Sequence, residues 1–334
     1  MRVALAGLGT AAVRGHLPQL ARLESTGQLT LVGASEPEPE RRALVESLRP
    51  GLALFATTQE MLESVDSDVL IVATDPSAHA DLVCLASRYG QHVVCEKPLA
   101  LTREQYNRVA TEVAPIGSVV AVHQFRHAAT WRRIAPWARA ARAAGLPFSL
   151  AVDIQRVRTD PLAAARWRDA ADYGGMLADH GVHYFALGWT LSRRLDVLHA
   201  ARVLQPGSER SSATVRIGSG RLEFSACAGA ATSRNRLVLR VGQAALTWVD
   251  DTATASIAGA RVTPLRRTGS LSDRRYTDSL YRPFYTELAA KLHDPRWRRR
   301  RTEEAATVGA TLIAALEAAG LSTPTQNRAR LRQG

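Results

Sequence analysis

Lysine is almost missing from this chain: among 43 basic residues only Lys97 and Lys291 are lysines. Cysteine is scarce as well. Cys84, Cys95 and Cys227 are odd in number, widely spaced and without CxxC pairing, which excludes a disulfide framework and a zinc ribbon and fits a reducing, cytoplasmic setting. No apolar run approaches the roughly 18 residues of a spanning helix, so no membrane partner is expected. The opening Met1-Arg2 and Val3 to Gly9 resemble a signal peptide only superficially, since the run is short and holds a glycine fingerprint instead of a cleavage site. A GxSxG elbow and a P-loop are also absent. The formal charge of +12 comes from arginines spread among acids, without a zinc-finger, basic-zipper or RNA-recognition signature, so no nucleic-acid partner is expected. Arg298 to Arg301 is the one basic run, and it leads into Thr302-Glu303-Glu304 as a solvated turn before a helix.

At 334 residues, 46% of them apolar, the chain is long enough for two cores. Val3 to Ala6 reads as a buried strand, Gly7-Leu8-Gly9-Thr10-Ala11-Ala12 as its turn, and Ala12 to Leu23 as a helix. This is GxGxxA in the strand-turn-helix setting of a dinucleotide fingerprint. Gly7 permits the tight turn, Gly9 lets backbone approach a pyrophosphate, Ala12 keeps the helix close to the sheet, and the N–H groups around Thr10 and Ala11 open the helix towards the phosphates. A second strand, Leu29 to Ala34, ends at Ser35-Glu36, with Glu36 lying 27 residues beyond Gly9 where an acid accepts from an adenosine ribose. That favours NAD, with NADP as the alternative because Arg41 and Arg42 follow; a helix-leading acid before Pro37 is the plain reading of Glu36.

Further strand and helix pairs follow at Leu52 to Phe55 with Gln59 to Glu63, Asp68 to Ala73 with Ala78 to Arg88, and His92 to Cys95 with a helix from Thr102. Val119 to Val122 makes a sixth strand. Such alternation predicts a parallel, doubly wound sheet over residues 1–122. Strand ends carry Thr74-Asp75-Pro76, with His79 beyond, and Glu96-Lys97-Pro98. Both stand on the ligand-binding side of an open α/β sheet and are expected to touch the cofactor. Lys97 can give up its proton when desolvated, as a guanidinium practically cannot; a solvated post-strand lysine is the plain alternative. From residue 123 to 326 the pattern shifts to a helix, a strand at Phe148 to Arg158, a helix at Gly175 to Leu191, several short strands and two closing helices, Tyr281 to His293 and Thr302 to Ala319. This predicts an α/β domain with a large, mostly antiparallel open sheet, whose free face suits a homodimer or homotetramer. Residues 327–334 read as a polar tail.

Within the second domain, Gly174-Gly175 opens a helix on which Asp179 and His183 stand four residues apart and share a face, so the carboxylate can orient the imidazole for acid/base work. His180 points about 100° away and reads as structural. HxxH without a Glu or Cys ligand does not indicate a metal.

Taken together, Gly7 to Ala12, Glu36, Glu96-Lys97-Pro98, Trp167-Arg168 and Gly174-Gly175 to His183 resemble, in order and spacing, the glucose-fructose oxidoreductase and inositol dehydrogenase family, Gfo/Idh/MocA. The resemblance implies an N-terminal Rossmann domain, a C-terminal domain with an open sheet, and a cis Lys97–Pro98 bond. It also implies a catalytic set of Lys97, Asp179 and His183. Three positions depart from the family pattern: Glu36 in place of the commoner Asp, Asp75 where Pro or Asn is frequent, and Ala186 where an acid is usual. The expectation is an NAD(P)-dependent oxidoreductase acting on a secondary alcohol or ketone of a small sugar, cyclitol or related metabolite. Lys97, Arg126, Gln155, Arg156, Trp167, Arg168, Asp179 and His183 are expected at the substrate. Rival readings are an imine or tetrapyrrole reductase, a non-catalytic dinucleotide sensor, and an elimination that returns hydride to the same sugar.

Overall fold

The computed structural model describes residues 1–113, 118–157, 174–205, 208–249, 252–257, 260–266 and 274–321. The chain packs as two compact units. The first comprises Met1–Ala100, Glu104–His127 and Ser270–Ala306; the second comprises Leu101–Arg103, Ala128–Gly269 and Thr307–Gly334. The first unit thus includes a late segment, Ser270–Ala306, beside residues from the N-terminal part of the chain.

The first unit holds β1 (Arg2–Ala6), β2 (Thr30–Ser35), β3 (Leu54–Phe55), β4 (Val69–Val72), β5 (His92–Cys95) and β6 (Val119–Ala121). All pair in parallel, in the order β3-β2-β1-β4-β5-β6. The cause is visible in β4, Val-Leu-Ile-Val with every residue buried: a strand covered on both faces cannot alternate. Helix α1 (Leu17–Glu24) is entered through a π turn at Ala12–His16, and α2 (Pro39–Leu48), α3 (Thr58–Ser64), α4 (His79–Arg88) and α5 (Arg103–Val113) follow their strands. A capping box fixes the start of α3, where Thr57 and Glu60 satisfy each other's backbone N–H. The strand order reverses between β1 and β4, and in sheets of this kind ligands bind beyond the carboxyl ends at that point.

In the second unit α6 (Ala129–Ala143) precedes β7 (Phe148–Arg156), and a π turn at Leu177–Gly181 runs into α7 (Val182–Leu191). Then come β8 (Leu195–Gln205), β9 (Ser208–Ile217), β10 (Gly220–Ala228), β11 (Arg234–Val241), β12 (Ala244–Val249), β13 (Thr252–Ile257) and β14 (Ala260–Arg266). They form one sheet of order β14-β13-β12-β11-β7-β10-β9-β8, antiparallel except for β7 beside β10. Leu222, Phe224, Ala226 and Ala228 of β10 are buried while Arg221, Glu223 and Ser225 are exposed, so one face is covered and the other open. On the covered face Phe224 meets Tyr184 and Phe185 of α7. Nine of the ten α7 residues are buried, as an apolar helix without a polar stripe requires.

Two more helices follow among the described residues: α8 (Arg274–Lys291) and α9 (Pro295–Ala318). Among the described residues no helix is long and apolar enough to cross a membrane.

Candidate active site

At the end of β1, Gly7 has φ +88°, and a Cβ there would lie 2.6 Å from the Ala73 carbonyl oxygen. Only glycine fits both the angle and the approach to the β4 exit. Gly9 differs: a Cβ there would meet no protein atom within 4 Å, so its lack of a side chain serves no packing in the chain itself. It leaves backbone open beside the helix start at Thr10, Ala11 and Ala12, whose first-turn N–H groups lack i−4 carbonyl partners by construction. These residues fit a pyrophosphate.

Glu36 is buried at the end of β2. Its Oε2 accepts the Leu8 N–H at 2.8 Å, its Oε1 accepts the Glu38 N–H at 3.2 Å, and Arg41 stands 3.5 Å from Oε1. The acid expected at the ribose thus also ties the glycine turn to β2. A carboxylate offers about four lone-pair sites, so capacity remains for a ligand hydroxyl. Arg42 donates to the carbonyls of Glu36 and Pro37, which keeps its guanidinium in the loop.

Beyond β4, the Asp75 carboxylate accepts from both the backbone and the hydroxyl of Ser77, capping the 3₁₀ turn Pro76–Ala78, and the Thr74 hydroxyl donates to the Asp75 carbonyl. His79, expected at the cofactor, is buried, with Nδ1 2.7 Å from the Pro98 carbonyl and Nε2 3.2 Å from the Thr74 carbonyl. Burial lowers its imidazole pKa despite those two acceptors.

The Lys97–Pro98 peptide is cis, as the resemblance implied. Glu96 is buried below it. Its Oε1 accepts the Tyr281 O–H at 2.7 Å and lies 3.1 Å from His16 Nε2, while Oε2 accepts the Lys97 N–H at 3.1 Å. Burial alone would raise the Glu96 carboxyl; the His16 hydrogen bond and charge, the Tyr281 hydroxyl and the Lys97 charge outweigh it and bring it to about 2. Both Glu96 and His79 therefore face the protein around Lys97 with the atoms expected to face a cofactor.

The second unit carries Asp179 and His183, both buried, on the helix entered at Gly174-Gly175. Gly175 has φ +51°, and a Cβ there would fall inside the Glu209 carboxylate. That carboxylate accepts the Met176 N–H at 2.9 Å, the Ser211 hydroxyl at 2.7 Å and Arg202 Nε at 3.0 Å. A buried acid in β9 thus caps the helix start. The π turn at Leu177–Gly181 admits one more residue per turn than an α-helix, which changes the phase of the side chains it carries. In it the Asp179 carboxylate lies 3.5 Å from His180 Nε2, a neighbour that α-helical spacing had set aside.

The remaining expected substrate residues divide. Arg126 Nη1 lies 2.6 Å from Glu304 and Nη2 lies 3.7 Å from Glu287, within a buried cluster that includes His123 and Arg301. Its guanidinium is thereby committed to carboxylates of α8 and α9. Gln155 is on the open face of β7 beside Asp153, while Arg156 alternates to the covered face that α7 packs against. Trp167 and Arg168 lie outside the described residues. No sequence motif marks His16, Tyr281 or Tyr285; a histidine one turn into the fingerprint helix is the local signal for the first.

Residues 1–124 match the model of the oxidoreductase family with an NAD-binding Rossmann fold, Gfo/Idh/MocA. An inositol 2-dehydrogenase of Agrobacterium fabrum is 31% identical over 117 residues, 34% of this chain and 34% of that protein. A D-glucoside 3-dehydrogenase of Escherichia coli is 28% identical over 127 residues, 38% of this chain and 35% of that protein. The chain spans about a third of the length of these curated relatives. The WlbA dehydrogenase of Bordetella pertussis, solved with NADH and UDP-GlcNAcA, superposes with a TM-score of 0.74 at 18% identity, covering 97% of this chain and 98% of that one, a likeness of fold.

Proposed function

We propose that this chain is an NAD(P)-dependent dehydrogenase or reductase that moves hydride between nicotinamide and a secondary alcohol or ketone of a sugar, cyclitol or related metabolite. The observation that carries this reading is the lysine just beyond β5, whose backbone N–H is held by the buried Glu96 carboxylate. An amine kept in a chain with only two lysines, and fixed in this way, suits the stabilisation of a developing alkoxide. The dinucleotide is held by the Gly7 to Ala12 turn and by Glu36, with Thr74, Asp75 and Pro76 at the neighbouring strand end. When bound, it supplies the hydride acceptor or donor.

The protein supplies the rest. His183 exchanges a hydroxyl proton of the substrate, Asp179 orients the imidazole, and Lys97 hydrogen-bonds a substrate oxygen. The contact of Asp179 with His180 makes His180 a second candidate for the proton-exchanging group. The names of the curated relatives support polyol substrates, and Arg156 supports a hydroxyl-rich or anionic one. The buried cysteines Cys84 and Cys95 suit a reducing compartment.

The test is direct. Purified protein is incubated with NAD⁺ or NADP⁺ and myo-inositol, methyl D-glucosides and other cyclitols and sugars, and with NADH or NADPH and the matching ketones, while reduced-nicotinamide absorbance is followed. Turnover with one of these and its loss in Lys97→Ala are the expected outcome. Absence of any absorbance change across the panel, with the dinucleotide bound, defeats the reading.

A further inference from the structure

The residues on either side of Lys97 are each pinned by a buried histidine. On the N-terminal side, an ionised Glu96 carboxylate can only accept, so His16 Nε2 at 3.1 Å carries the proton it shares with Oε1. The other ring nitrogen, Nδ1, is 2.5 Å from the Tyr285 hydroxyl, and Tyr281 donates to the same Oε1. His16 and Tyr285 are fully buried and Tyr281 nearly so, which keeps water out of these hydrogen bonds. Gly15 makes the arrangement sterically feasible: a Cβ there would lie 2.8 Å from the Tyr281 ring. The π turn carrying Gly15 and His16 thus joins α1 to α8 through Glu96. On the C-terminal side, His79 at the start of α4 has Nδ1 2.7 Å from the Pro98 carbonyl and Nε2 3.2 Å from the Thr74 carbonyl; a neutral imidazole carries one N–H, and the shorter contact gives it to Pro98.

We propose that His16, acting through Glu96, and His79, acting through Pro98, are positioning residues that fix the backbone of Lys97, with the Glu96 carboxylate as its counter-charge. Both ring nitrogens of each histidine face protein atoms, and the main chain is held at residues 97 and 98: His16 acts through the Glu96 carboxylate that accepts the Lys97 N–H, and His79 acts at the Pro98 carbonyl. Only the side-chain torsions of Lys97 are then left to adjust, which is the economy a reacting amine requires, because small misplacements of such a group cost large factors in rate. Charged and titratable groups around the anchor are His16, His79, Cys95, Tyr281, Tyr285 and Lys97 itself. The proposal rests on the reading of Lys97 given above, but its test needs no substrate.

With two lysines in the chain, labelling with [ε-carbon-13]lysine gives two signals, and Lys291→Arg leaves the one from Lys97. In that background His16→Leu, Glu96→Gln and His79→Leu should each move the Lys97 signal at least halfway from its native position to that of the urea-unfolded chain. His16→Gln, whose amide can still donate to Glu96, should hold it within a quarter of that span. NADH, used as the probe, should bind each variant within about three-fold of the parent, since the glycine turn is untouched. An unmoved Lys97 signal in His16→Leu and Glu96→Gln overturns the proposal. If the histidine variants fail to fold, Tyr281→Phe, which removes one O–H from the Glu96 anchor, carries the same test: a shifted signal supports it and an unmoved one overturns it. Failure of the sugar panel would sink the functional reading and leave this result standing.

Discussion

His16 Nε2 and Glu96 Oε1, 80 positions apart in sequence, meet at 3.1 Å with side-chain exposures of 0% and 8%. The folded carboxyl lies near 2, against an ordinary value of 4.5. A carboxyl whose folded pKa is depressed contributes stability that is fully present above its unfolded value and is lost as pH falls through the folded one. The window is therefore about pH 4.5 down to about pH 2. Tyr281→Phe removes a donor to Oε1 and should raise the folded value, moving the acid-unfolding midpoint to higher pH. Circular dichroism across this range checks it, and an unchanged midpoint would show that Tyr281 does not hold the charge.

NADH should bind more tightly than NADPH, because a 2′-phosphate would meet the Glu36 carboxylate. Glu36 also accepts the Leu8 N–H, so Glu36→Ser should narrow the gap and also weaken NADH. The loss of a buried charge-assisted bond suggests a weakening of roughly ten-fold. Fluorescence titration with both reduced cofactors measures it. Tighter NADPH binding by the unmodified chain would hand the choice to Arg41.

Lys97→Ala and His183→Ala should each lower turnover by roughly a hundred-fold while leaving NADH affinity within a few-fold, the usual scale of a lost acid/base group. Asp179→Asn should cost less. His180→Ala is the comparison: if it, and not His183→Ala, abolishes turnover, the imidazole partnered by Asp179 at 3.5 Å is the working one.

Glu209 and Arg202 form a buried pair, with side chains 1% and 2% exposed. Glu209→Ala strips the counter-charge from Arg202 and the cap from Met176, and should destabilise the second unit by about 3–5 kcal/mol. Glu209→Leu combined with Arg202→Leu should cost less, since no charge is then stranded. Urea unfolding followed through the tryptophans distinguishes the two, and equal losses would argue against stranded charge as the cause.

The open face of the second sheet, where Asp153, Ser212, Ser225 and Arg210 line a broad groove, should be covered by another copy of the chain in solution. Light scattering at micromolar concentration should report at least a dimer. Thr214→Arg, on the same face, should shift the mass towards one chain. A monomeric parent protein would dispose of this expectation.

What could be read in the sequence is what local physics writes there. Val69 to Val72 announces a doubly covered strand by failing to alternate. Gly7 is needed for one backbone angle and one close approach, and Glu36 and Lys97 sit at strand ends that the strand-helix alternation already locates. Each of these depends on period, turn chemistry or strand order within a few dozen residues. The tertiary structure decided which polar groups find one another. Tyr285 reaches His16 across 269 positions, Glu304 reaches Arg126 across 178, and Asp179 turns to His180 inside a π turn that no apolar period marks. The physical reason is that a buried donor or acceptor must be satisfied by whatever packing brings to it. That partner is set by where α8 and α9 return in the chain's packing, which the residues around His16 or Arg126 do not encode.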